Sequence, residues 1–209
     1  MERVLDHIVQ FDERSRQFPI MAIVDRTEPR PYTWACSVCL DQGREGACVG
    51  HAFAHEAAAR PVVREADSDL AFRLYYRAQD LDGMPWTEGT SIIAGAKAAR
   101  EAGYLNEFRW GFGLKDCLAG VSRKGPAVLG LNWYEGMFDP DKNGMLHVSG
   151  DIAGGHAILM TGVSVKNRTV TLHNSWGSDW GVNGKAKLSW DDLDRLLDED
   201  GECCIPVIR

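Results

Sequence analysis

In DQGREGACVGHAFAHEAAA (41–59), Cys48 stands where a glycine-interrupted turn gives way to an alanine-rich helical run. A helix that begins at a cysteine aims free N–H groups and partial positive charge at the sulfur, which favours the thiolate, the reactive form. His51 and His55 follow three and seven residues later, on the same helix face. Three readings stand open: a metal ligand with neighbours on its own helix, a packed thiol, or a nucleophile whose base comes from elsewhere. A Cys-His-His face offers only three ligands, and HAFAHEAAA is otherwise an apolar packing surface. His51 and His55 are therefore expected to be core or boundary histidines.

The totals narrow the setting. A chain of 209 residues suits one body with two lobes, and 44% hydrophobic with 25% charged residues is the composition of a soluble globular protein that buries a core. Against a net charge of -7 no Lys/Arg cluster tracks a phosphate backbone, so nucleic acid is not an expected partner. MERVLDHIVQFDERSRQF breaks its apolar residues with charges every few positions, giving neither a signal-peptide core nor a membrane span. A cytoplasmic start is the expectation, with unconventional export left open, and the six cysteines are expected to be thiols. No membrane partner is expected, and a monomer is favoured.

Working outward, Pro19, Pro29 and Pro31 interrupt regular structure, and residues 1–24 read as an extended arm. Residues 25–123 read as a helical lobe: ACVGHAFAHEAAA, DLAFRLYYRAQD, SIIAGAKAAREAG with Ser91 as N-cap and Gly103 as stop, then LKDCLAGVSRKG. From 124 to 209 the pattern changes to short apolar runs, PAVLGLNW, HAILMTGVSV, RTVTLHN and KAKLSW, separated by turn signals. That predicts a β-rich lobe, mainly antiparallel, and an α+β fold of a single catalytic domain.

Three segments carry chemistry together: DQGREGACVGHAFA (41–54), GGHAILMTGV (154–163) and HNSWGSDWGVNG (173–184). A thiol nucleophile needs an imidazole beside it, and His156, on a strand that opens with Gly154 and Gly155, suits that role. The imidazole needs an orienting hydrogen bond, which the Asn174 amide oxygen is able to accept while Trp176 keeps water off it. An oxyanion needs donors, and Gln42, six residues before Cys48, pairs its side-chain NH2 with the Cys48 N–H.

These residues resemble the papain-like cysteine peptidases, in the manner of the compact bacterial and phage members. Gln42, Cys48, His156 and Asn174 match the family's order, and Asn174-Ser175-Trp176-Gly177, Trp180-Gly181 and Asn183-Gly184 match its NSWG…WG..G stretch, with similarity from about Val24 onward. The resemblance implies a two-lobed fold, a helical lobe and an antiparallel β-barrel-like lobe with a cleft between them. It further implies a thiol protease that hydrolyses peptide bonds through a thioester, without cofactor or metal, on a peptide or protein substrate. Isopeptide cleavage, deamidation or transamidation of a partner protein, and a non-hydrolytic peptide-binding module, remain alternatives. By the same resemblance Gly89, Thr90, Ser91, Gly130, Gly154, Gly155 and Trp176 line the substrate site. With so many glycines, the second-subsite pocket is expected to be open and shallow.

The departures carry information too. Glu45 and Val49 stand where the C-G-[SA]-C-[WY] signature has a cysteine and an aromatic. His156 follows Cys48 by 156 − 48 = 108 residues and Asn174 by 174 − 48 = 126, shorter than the roughly 130–150 of papain and cathepsins. Only about twenty residues precede the first family-like segment, which leaves open how activity is restrained. Elsewhere, Cys36, Cys39, Cys203 and Cys204 would make a four-cysteine metal site only if arm and tail met. DPDKNGM (139–145) reads as a solvated turn, and WDDLDRLLDEDGE (190–202) as a solvated helix face with leucines inward.

Overall fold

Small residues set the spacing of the first three helices in the computed structural model of the chain, which describes residues 3–9, 11, 13–25 and 28–208. The helices are α1 (Cys48–Ala57), α2 (Ser68–Asp82), α3 (Ile92–Glu101), α4 (Gly113–Arg123) and α5 (Trp190–Asp198). Every residue of α1 is buried. A Cβ at Gly50 would lie 2.2 Å from the Ala71 carbonyl of α2, and one at Gly95 of α3 would lie 2.5 Å from Val49. The glycines thus let three backbones approach more closely than any side chain allows. Capping fixes the helix starts: Asp67 accepts the Leu70 N–H, Ser91 the Ala94 N–H and Ser189 the Asp192 N–H. Such a bond is typically worth about 1 kcal/mol.

The strands are β1 (Tyr32–Thr33), β2 (Glu107–Trp110), β3 (Ala127–Tyr134), β4 (Ile152–Ser164), β5 (Thr169–His173), β6 (Lys185–Ser189) and β7 (Glu202–Ile208). They form one antiparallel sheet in the order β2-β7-β3-β4-β5-β6, with β1 paired to β4. The sheet is not closed, so the barrel-like expectation is corrected to an open sheet: the end strands β2 and β6 do not pair. The strands expected from the sequence are β3 to β6; β1, β2 and β7 were not foreseen.

Alternation along the central strands divides the interior. Val128, Ala157, Leu159 and Cys204 turn toward α1, α2 and α3. Their neighbours Leu129, Ile158, Met160 and Cys203 turn the other way, into a core built with Trp34, α4, α5, Trp133 and Trp176. The sheet is therefore a wall shared by two cores, as the period-two geometry of a strand allows. Trp190, Leu193, Leu196 and Leu197 are the buried stripe of α5, its acidic residues lying opposite, as expected. Glu202, however, is buried at the start of β7, so the acidic run does not stay in solvent to its end. Among the described residues no helix is long and apolar enough to cross a membrane.

Candidate active site

Cys48 opens α1 with Ala47 as a cap that offers no side chain, so the helix's first N–H groups stay available to the sulfur. Its Sγ accepts the Ala157 N–H from β4 at 3.4 Å, and the backbone N–H groups of Val49 and Asp6 also point to it. One residue before Ala157 stands His156, on the opposite face of β4. The strand thus delivers an imidazole next to the residue whose amide already touches the sulfur.

The tautomer of His156 follows from its partner. Asn174 Oδ1 lies 2.7 Å from His156 Nε2 and also accepts the Ser175 N–H at 2.8 Å, which identifies it as the acceptor. Nε2 therefore carries the proton and Nδ1 keeps its lone pair, with no protein group bonded to it. The Trp133 and Trp176 rings enclose the imidazole, each 4.8 Å away by ring centre, and keep water from the His156–Asn174 bond. Trp133 was not singled out by sequence reasoning; its place on β3 opposite Gly154 is the register that could have revealed it. Gln42 is buried, with its Oε1 accepting the Ser175 hydroxyl at 2.6 Å, so the amide is fixed with its NH2 aimed into the cleft.

The cleft is occupied by the chain itself. Gln42 Nε2 donates to the Val4 carbonyl at 3.3 Å, His7 N donates to the Gly155 carbonyl at 2.9 Å, and Ile8 N to the Thr90 carbonyl at 3.3 Å. Residues 3–9 fit there because the walls are glycine. A Cβ at Gly46 would lie 1.8 Å from the Asp6 carboxylate, at Gly155 2.0 Å from the His7 carbonyl, at Gly130 2.3 Å from the His7 ring, and at Gly154 3.0 Å from Leu5. Gly89, at φ +94°, approaches the Asp6 carbonyl. Thus Gly89, Thr90, Gly130, Gly154, Gly155 and Trp176 all border the segment. Ser91 instead caps α3 and bonds Asp82 through its own N–H and hydroxyl.

The segment also corrects the expectation of an open, shallow pocket. His7 is buried in a recess formed by Thr90, Ile92 and Gly130, its Nε2 3.9 Å from the Glu202 carboxylate on β7. Glu202 is a residue the sequence reading missed, because it was counted with the solvated acidic helix.

Direction matters as much as occupancy. Arg3 lies over Trp176, beside the His156–Asn174 pair, and His7 lies in the recess on the far side of Cys48. In a thiol protease the leaving amine departs toward the imidazole that protonates it, so a peptide substrate would place the residues after its scissile bond on the Trp176 side. Residues 3–9 put their earlier residues there, opposite to the direction such a substrate would take. It presents the Asp6 N–H, not a carbonyl carbon, to the sulfur.

The reacting groups of the covered site are strongly desolvated. Burial pushes the Cys48 thiol up to about 12, with the nearby Asp6 carboxylate adding to the effect, and burial lowers His156 to about 4. Thiol and imidazole are both neutral under the segment.

The other sequence candidates fall elsewhere. His51 and His55 are buried as expected: His51 Nδ1 bonds the Ala47 carbonyl, and His55 accepts the Leu40 N–H and stacks on His173. The Cys36 thiol points at the His55 carbonyl, whereas Cys203 abuts Cys117 in the second core. Arm and tail cysteines are not brought together, and the described residues contain no group of three or more His, Cys, Asp or Glu able to hold a metal ion. In the 139–145 stretch, Asp141 caps its own turn by accepting the Asn143 and Met145 N–H groups.

Comparison with known proteins bears on this geometry. The model of the papain family of cysteine proteases matches residues 34–194. A cathepsin B-like cysteine proteinase of Schistosoma japonicum is 39% identical over 66 residues, 31% of this chain and 19% of that protein. An uncharacterized peptidase C1-like protein of Acanthamoeba polyphaga mimivirus is 23% identical over 192 residues, 69% of this chain and 62% of its own. The matched stretches thus span less than two thirds of these curated relatives. Xylellain, a cysteine protease of Xylella fastidiosa, shares the fold with a TM-score of 0.66 at 16% identity, covering 100% of this chain and 99% of that one.

Proposed function

Because the chain belongs to the papain family of cysteine proteases, we propose that it is an endopeptidase held closed by its own residues 3–9. The observation that carries the reading is the His156–Asn174 bond of 2.7 Å, which leaves the Nδ1 lone pair for the thiol of the helix-start Cys48. Once the segment leaves, water and substrate return to the cleft and the desolvation that keeps both groups neutral is relieved. The Cys48 proton passes to His156 Nδ1, and the thiolate attacks the scissile carbonyl carbon. The negative oxygen that forms is held by the Gln42 NH2 and the Cys48 N–H, the former now engaged with the Val4 carbonyl. As the C–N bond breaks, His156 gives its proton to the departing amine. Water, deprotonated by the same imidazole, then cleaves the thioester and regenerates the thiol.

The test is Cys48→Ala. Hydrolysis of internally quenched peptides and labelling by an epoxide or vinyl sulfone should both vanish, with new peptide termini seen by mass spectrometry only for the wild type. Persistence of either would sink the assignment.

A further inference from the structure

The side chain of Arg3 occupies a place built for it. Its guanidinium carbon lies 5.0 Å from the centre of the Trp176 ring. One of its terminal nitrogens donates to Asp139 Oδ1 at 2.9 Å and also to the Phe138 carbonyl. The cradle is braced from behind: Phe138 stacks on Trp176 at 5.8 Å and 11°, and Trp180 donates its indole N–H to the same Phe138 carbonyl at 2.7 Å while standing edge-on to Trp176. The indole and the carbonyl are therefore held in place by buried tryptophan packing, and the Asp139 carboxylate reaches the guanidinium from the surface.

This cradle lies on the leaving-group side of Cys48, the side reached by the substrate residues that follow the scissile bond. We propose that Trp176, Asp139 and the Phe138 carbonyl form a subsite for an arginine side chain in that part of a peptide substrate, filled at rest by Arg3. The proposal builds on the peptidase reading and adds the substrate class. A planar guanidinium covers the indole face and donates to two oxygens at once. A lysine ammonium is a point donor that leaves most of the ring uncovered. Since residues 3–9 run opposite to a substrate, the side-chain chemistry carries over but the sequence spacing does not.

Internally quenched peptides that share the residues before the cut, with Arg, Lys, Leu or Ala placed in turn at the three positions after it, test this in the full chain. At one position kcat/KM for Arg should exceed that for Ala by about tenfold, with Lys between them, from the stacking and ion-pair contributions together. Asp139→Asn should reduce the Arg-to-Ala ratio to about threefold, leaving the indole's share. Equal cleavage of the Arg and Ala peptides, a Leu peptide matching Arg, or a ratio untouched by Asp139→Asn would overturn the proposal. A second measurement needs no hydrolysis. Arg3→Ala and Asp139→Asn should each speed alkylation of Cys48 by iodoacetamide about threefold, and the double variant should be no faster than either. Additive effects, or none, would also overturn it. If no peptide is cut while this cycle holds, the peptidase reading falls and takes the substrate class with it, whereas peptides cut without preference for Arg overturn the subsite alone.

Discussion

Cys48 is placed by backbone and small residues, whereas His156 is placed by large aromatic side chains. On the cysteine side the sulfur meets N–H groups from Val49, Ala157 and Asp6, and the wall that includes Gly46 and Gly89 leaves room for another chain to lie against it. On the histidine side Trp133, Trp176 and Asn174 enclose the ring. The difference teaches that one wall is made to be covered and the other to be kept dry. A helix start needs only an uncrowded approach to aim a thiolate, but an imidazole must be held by something rigid and water-excluding.

The comparison breaks most severely on the rigid side. Asn174→Ala removes the acceptor that fixes the ring and leaves a buried Nε2–H without its partner. We expect kcat to fall by about a hundredfold, at the lower end of what positioned acid-base catalysis contributes. A loss of less than about threefold would mean that the tryptophans alone hold the ring. On the open side, Gly46→Ala drives a methyl into the Asp6 carboxylate. Alkylation of Cys48 should quicken about tenfold because the segment seats less often, as a clash of order 1–3 kcal/mol implies. Adding Asp6→Gly to the same chain should restore the slow rate; failure to do so would place the clash elsewhere.

The smallest effect is the most discriminating. Burial raises Asp6 to about 6, opposed by its bonds from Tyr75 and Gly89 and reinforced by Glu88. Asp6 therefore favours the seated segment below about pH 3.8, and that contribution is lost as pH rises through about 6. Burial lowers His7 to about 4, partly offset by the Thr90 carbonyl and by Asp82. Its contribution is present above about pH 6.5 and lost as pH falls through about 4. The two oppose each other across nearly the same interval. The alkylation rate of Asp6→Asn, divided by the wild-type rate at each pH, should fall as pH rises from 4 to 6. The corresponding ratio for His7→Gln should fall as pH drops from 6.5 to 4. Since Asp6 is only half-buried, its slope should be the shallower. Slopes of the same sign would contradict the assignment of the two groups.

Local signals explain what was legible in the chain. Helices α1 to α3 announce themselves by periodicity, by Ser91 as a cap and by Gly103 as a stop. Gln42, Cys48, His156 and Asn174 come with flanking residues whose order carries the resemblance, and the structure sets Asn174 on His156 and the amide of Ala157 on Cys48. What escaped notice was tertiary. Strand β7 contains Pro206 and begins with Glu202, two residues that argue against a central strand. Pro206 is accommodated because it lies beyond the span where β7 pairs with β3 on one edge, which ends at Cys204. The charge-broken residues 3–9 offer no periodicity at all, because their conformation is dictated by the glycines of a distant cleft.

Residues 3–9 and the groove they fill travel on one molecule, so their meeting is set by an effective molarity that does not depend on the concentration of the protein. Dilution does not loosen such an occupant. A free peptide must outcompete it, and the apparent KM of every substrate is multiplied by the ratio of all molecules to open ones. Scission after residue 9 would change the order of the reaction: the fragment that carries residues 3–9 would become an ordinary diffusible ligand, and dilution would then wash it away.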